Sequence, residues 1–99
     1  MTESTLQEVL NEIAAERLRQ DAKWGEQNHE PIEWMSILME EVGEASKEAL
    51  ELHFHKAKEE HPDKDWIAQK RANYRMELVQ VAAVAVAMLE CFDRNTPAS

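Results

Sequence analysis

The stretch LVQVAAVAVAML, residues 78–89, decides the fold: every position but Gln80 is apolar. A helix that is hydrophobic all round must be covered all round. Two partner helices from a chain of 99 residues can hardly do that. The stretch therefore predicts a homo-oligomer, at least a dimer, packed on this segment. The alternative is a solitary core helix in a monomeric three-helix bundle, although such a helix usually keeps one wet face.

Working outward, the chain reads as a single all-α domain over 1–99. Two glycines and three prolines are too few for the turns of a β-sandwich or barrel. The apolar run belongs to a third helix, expected from about Trp66 to Asp93, with a cap at Asp63 or Asp65. Before it, HKAKEEHPDKD (55–65) breaks the pattern at Pro62. A second helix starts at Pro31, whose missing N–H costs nothing in a first turn. Its Met35, Leu38, Val42, Ala45, Ala49 and Leu52 alternate steps of three and four, a heptad-like seam. Ser4 and Thr5 each open a capping-box pattern, with Gln7 and Glu8 three residues on. Leu6, Val9, Leu10, Ile13, Ala14 and Leu18 then recur at helical spacing, giving a first helix from about residue 5 to the low twenties. Gly25 and Pro31 punctuate the loop between these two helices. The expected architecture is a helical hairpin plus an N-terminal helix.

Charge and composition exclude several classes. Eleven basic against twenty acidic side chains give a net charge of −9, the wrong sign for a chain whose main partner is DNA or RNA. No run reaches the roughly 18 apolar residues that span a bilayer, so no membrane association is expected. MTESTLQEVL lacks a basic-then-apolar leader, and the lone Cys91 cannot form an intrachain disulfide, so a cytoplasmic protein is the expectation.

Glu41, Glu44 and Glu48 share one narrow strip of the second helix, at roughly 0°, −60° and −20° around its axis, while the seam lies at about +20° to +120°. The acids thus border the apolar stripe. Like charges at this spacing repel by some tenths of a kcal/mol per pair, a cost that bound cations would offset. A solvated acidic face is the plain alternative. Against it stands a matching acid, Glu77, on the third helix, with Gln80 one turn later. In an antiparallel hairpin turning at about 61–64, Glu44 lies 17 residues from the turn, and Glu77 and Gln80 lie 13 and 16 from it, nearly equal depths. Glu90, 26 residues past the turn, is too deep to meet Glu41 and Glu44. Three carboxylates and one amide oxygen suit a hard cation such as Mg²⁺. A ferritin-like di-iron site needs two Glu-x-x-His pairs on helices, and the one such pair, Glu26–His29, falls in a loop. His53, His55 and His61 lack the cysteines or fixed spacing of a zinc site. Neither a nucleophilic triad nor a glycine-rich phosphate loop is present, and Cys91 reads as a packed residue.

EEVGE at 40–44, followed by ELVQVAAVAVAMLE at 77–90, resembles the MazG-like, all-α nucleoside triphosphate pyrophosphohydrolases, whose signature is Glu-x-x-Glu and then Glu-x-x-Asp on a later helix. ERLRQDAKWGEQNHEP at 16–31 also looks like the short bacterial and phage members. The resemblance covers most of the chain. It implies Mg²⁺-dependent cleavage of a (deoxy)nucleoside triphosphate to monophosphate and pyrophosphate, with Mn²⁺ as a substitute metal. It also implies dimers or tetramers built of four-helix-bundle units, and a role in cleaning the nucleotide pool. Carried over by position, Glu41, Glu44 and Glu77 are metal ligands, and Glu40 is an auxiliary acid that orients a water. Gln80 stands where the family usually has Asp: its amide oxygen can ligate a metal but adds no charge. Glu48, on the same strip, is a compensating candidate. The 32 residues between Glu44 and Glu77 are long for the family. For the nucleotide, Arg17, Arg19 and Lys23 can meet phosphates, Trp24 offers a stacking face, and Gln27, Asn28 and His29 can bond a base edge. The same arginines can be ordinary surface charges, and Trp24 a plug for the bundle end. Trp34 and Trp66, at helix starts, read as packing residues. Lys47, Lys70, Arg71 and Arg75 are further candidate phosphate contacts. Two rival functions remain: a catalytically degenerate homologue that binds nucleotide or metal, and a structural helical oligomerisation protein.

Overall fold

The computed structural model describes residues 4–58 and 63–96, with backbone alone for 55–58. These contain three helices and no strand: α1 (Leu6–Trp24), α2 (Pro31–Lys58) and α3 (Lys64–Asn95). The chain is therefore all-α, as expected. None of these helices is long and apolar enough to cross a membrane.

Local chemistry sets each boundary. Thr5, not Ser4, is the N-cap of α1: its hydroxyl accepts from the Glu8 backbone N–H at 3.1 Å and donates to the Glu8 carboxylate at 3.0 Å. Gly25 ends α1 at φ +74°, a left-handed conformation that a residue with a Cβ pays to adopt, and its N–H bonds to the Asp21 carbonyl at 2.8 Å. Pro31 opens α2, and Glu33 reaches back to accept the Glu30 N–H at 2.9 Å. Asp63 caps α3 by accepting from the Asp65 N–H at 2.9 Å, so that helix starts two residues before Trp66. At its other end α3 runs to Asn95, two residues past the expected Asp93. Of the hairpin turn expected at 61–64, residues 61 and 62, His61 among them, lie outside the described residues.

α3 is the central element. It packs on both α2 and α1, whereas α1 and α2 make no close backbone approach among the described residues. Trp34, 5% exposed at the start of α2, packs with Val84, Ala87 and Cys91 of α3, flanked by Ile37, Leu38 and Met88. Ala83 is fully buried and Ala45 nearly so, small side chains where the helices come together. α1 buries no residue completely. Paired charges attach it to α3: Arg75 to Glu12 at 2.6 and 2.8 Å, and Arg17 to Glu90 at 2.7 Å.

The core is small for the chain. The radius of gyration is 16.6 Å, against about 13 Å for a compact domain of this length. The exposed surface is 7751 Å², against about 5,800 Å² from the size scaling of monomers at 11.4 kDa. Large apolar side chains contribute to it. Along α2, Ile32, Met35, Met39 and Val42 stand exposed at helical spacing; along α3, Leu78, Leu89 and Phe92 do. Of the expected α2 seam, Ala45 is buried and Leu38, Ala49 and Leu52 are partly so, but Met35 and Val42 face outward. The all-apolar run thus buries Ala83, Val84 and Ala87 within the chain and leaves Leu78, Val86 and Leu89 uncovered.

Candidate metal centre and adjoining cleft

The antiparallel packing of α2 on α3 brings Glu41, Glu44 and Glu77 together. Each offers a carboxylate oxygen, and these oxygens lie within 4.8 Å of one another. Glu41 and Glu77 are partly buried and Glu44 is exposed. Helical spacing puts Glu41 and Glu44 one turn apart on the same face, and equal depth in the hairpin supplies Glu77. The electrostatics are those of crowded anions. Burial first, then the charges of Glu44, Glu40 and Glu16, push the Glu41 carboxyl above its ordinary range. Burial, again first, with Glu44, Glu41 and Glu48 behind it, raises Glu77 in the same direction. Three hard oxygen donors from two rigid helices are a chemically apt set for a divalent cation, and they are the residues that would hold it.

The other expected members of the centre are placed differently. Glu40 is exposed on α2, close enough to add to the repulsion on Glu41. Gln80 meets the cluster with its amide nitrogen: in that orientation Nε2 donates to Glu41 Oε2 at 3.2 Å and to Glu77 Oε2 at 3.3 Å. Glu48 has the Lys70 ammonium 3.2 Å away, and Lys70 is also paired with Glu51. Glu90 does not join the cluster and instead pairs with Arg17, as its depth in the hairpin requires.

A cleft of about 140 Å³ opens beside Glu41, bounded by Arg17, Trp24, Gln27, Trp34 and Arg94. Arg17, Trp24 and Gln27 of the expected nucleotide segment therefore line the same cleft as Glu41. Arg17 is held on both sides, by Glu90 and by Asp21 at 3.0 Å, with its side chain 12% exposed. Lys23 lies over the Trp24 ring, 4.9 Å from its centroid. Asn28 and His29 turn away and line a second cavity of about 620 Å³ between the start of α2 and the end of α3. There the Asn28 side-chain oxygen Oδ1 accepts from Arg94 at 3.0 Å and from Asn95 at 2.8 Å, which ties the loop to α3. His29 packs edge-on against Trp34, with centroids 4.8 Å apart. The buried Cys91 thiol lies 3.8 Å from the Asn28 side-chain oxygen and 3.7 Å from the His29 carbonyl, to which it can donate. Arg19 pairs with Glu16, and both Arg19 and Arg75 line a groove between α1 and α3 beside Gln80.

Sequence reasoning missed Arg94. Besides Asn28, it donates to the Gln27 carbonyl at 3.1 Å and lies 3.5 Å from Glu26, so it braces the loop while lining the cleft. The sequence signal is only a basic residue in a last helical turn, which the helix dipole alone explains. Gln20 lines the cleft as well. Compared with known proteins, the chain matches no family model, no curated protein and no solved structure.

Proposed function

We propose that this chain is a Mg²⁺-dependent nucleoside triphosphate pyrophosphohydrolase of the MazG-like kind, releasing pyrophosphate from a (deoxy)nucleoside triphosphate. The observation that carries the reading is the convergence of Glu41, Glu44 and Glu77 from two helices, with Glu41 also lining a cleft walled by two guanidinium groups and two indoles. A divalent cation in that donor set, Mg²⁺ or Mn²⁺, would neutralise phosphate charge and lower the pKa of a bound water. The chain's own groups supply the rest. Arg17 and Arg94, each already held by neighbouring acceptors, put positive charge on the cleft wall where phosphate oxygens would lie. Trp24, exposed at the cleft edge, offers a face for a base, and Gln27 offers an amide for its edge. Glu40 is an accessible carboxylate beside the cluster that can accept a proton from an attacking water. The acidic protein would then reach a polyanion through the cation between them.

The proposed active form is a homo-oligomer, dimer or tetramer, whose hairpins pair into four-helix bundles. About 2,000 Å² of surface beyond that of a compact monomer, and the exposed stripes on α2 and α3, support it. A second reading is a homologue that binds metal or nucleotide without turnover, favoured by Gln80 supplying an amide where a fourth carboxylate would add charge.

The deciding experiment is pyrophosphate release from a panel of canonical and modified (deoxy)nucleoside triphosphates, with and without Mg²⁺, alongside Glu41→Gln. Metal-dependent release that Glu41→Gln abolishes supports the enzyme. Metal-dependent binding without release supports the second reading, and silence in both overturns the two together.

A further inference from the structure

Building on the reading of this cluster as a cation site, we infer that Gln80 is a hydrogen-bond donor that positions Glu41 and Glu77 rather than a metal ligand, and that the protein by itself therefore holds one divalent cation. Gln80 sits on α3 one turn beyond Glu77, partly buried, with its amide nitrogen 3.2 Å from Glu41 Oε2 and 3.3 Å from Glu77 Oε2. An amide oxygen in that place would press against two carboxylate oxygens with no proton between them. The NH₂ group carries two donors, one for each. Donated that way, they cross-link α2 to α3 and fix two carboxylates from different helices relative to each other. The amide oxygen, bonded to the same carbon, is turned out of the cluster.

Charge leads to the same conclusion. Glu41, Glu44 and Glu77 together carry three negative charges when ionised. One divalent cation leaves the three at −1, whereas a second leaves them at +1, offset only from outside the cluster by Glu40 and Glu16, whose charges reach Glu41. Glu48, the remaining acid of the strip, shares the Lys70 ammonium, 3.2 Å away, with Glu51. A second cation would have to arrive with the charge of a substrate phosphate. An aspartate at position 80 reverses both conditions, since it adds an anion and removes the donor.

The test is a Mn²⁺ titration of the metal-free protein, with free Mn²⁺ followed by electron paramagnetic resonance and Glu41→Gln as the baseline for scattered surface acids. The expected result is one tightly held Mn²⁺ per chain in the unmodified protein. Gln80→Asp should hold two, with the exchange-coupled signal of a neighbouring pair. Circular dichroism establishes that the variant is folded; the count for the unmodified protein is decisive without it. Two tight ions in the unmodified protein overturn the single-cation role while leaving the cation site standing, and a folded Gln80→Asp that still holds one overturns the limiting role of Gln80. No binding above the Glu41→Gln baseline overturns the cation site itself, and the role of Gln80 with it.

Discussion

Replacing Glu41 by Gln should stabilise the metal-free protein while abolishing its response to Mg²⁺. The three carboxylate oxygens lie within 4.8 Å of one another. At that separation a pair of unit charges costs about 0.9 kcal/mol in bulk water and about 3.5 kcal/mol at an effective dielectric of 20. Glu44 is exposed, so the water-like end applies, and physiological salt screens it further. Glu41→Gln removes two of the three repulsions and retains an oxygen that can accept from Gln80, for a net gain of about 1–2 kcal/mol. For a domain of this size that raises Tm by about 5–10 °C in EDTA.

The pH dependence has a definite sign. Glu41 and Glu77 have carboxyls raised above their unfolded values. Their contribution is most favourable below the ordinary carboxylate range and is lost as pH rises through the raised folded values. Glu41→Gln should flatten that loss. Mg²⁺ at about a hundred times its dissociation constant should add about 2.7 kcal/mol to the unmodified protein and little to the variant, reversing their order. Thermal denaturation by circular dichroism, at fixed protein concentration in EDTA and in Mg²⁺, reads all of these. A variant melting at or below the unmodified protein in EDTA, or equal stabilisation of both by Mg²⁺, would refute the reasoning.

Three further outcomes follow from the geometry. Arg17→Ala removes the clamp from α1 to Glu90 of α3 and should cost about 1 kcal/mol, because half-exposed Glu90 can hydrate once released; a melt shows it, and an unchanged Tm would mean the pair contributes nothing. Asn28→Ala strips Arg94 and Asn95 of a shared acceptor and should destabilise by about 1–2 kcal/mol in denaturant unfolding, with KM for any nucleotide substrate nearly unchanged. A large rise in KM at unaltered stability would instead give Asn28 a direct role in binding. Leu89→Asp, at a residue 65% exposed, should leave helix content intact yet shift sedimentation from oligomer to monomer; a chain already monomeric before the change would overturn the pairing of hairpins.

Periodicity and capping chemistry are local, and local interactions determined the elements. The three-and-four spacing of α2, the Thr5–Glu8 box and Pro31 at a first turn all mark helices whose hydrogen bonds lie within the segment itself. The meeting of Glu41 and Glu44 with Glu77 was also legible, because an antiparallel hairpin fixes depth by counting residues from the turn. Direction around an axis against a neighbour is not local. A heptad seam on α2 predicts burial of Met35 and Val42, yet α3 approaches from the side of Trp34 and Ala45, leaving those two to the exterior. The loop from Gly25 to Glu30 carries candidate nucleotide contacts in consecutive positions. Only the grip of Arg94 and Asn95 on Asn28 decided that Gln27 faces the cleft while Asn28 and His29 face away. The sequence determined which side chains carry charge and which helices hold them. Tertiary structure decided which charges are already matched, Glu48 by Lys70 and Glu90 by Arg17, because an ion pair depends on the separation of groups that no spacing along one chain specifies.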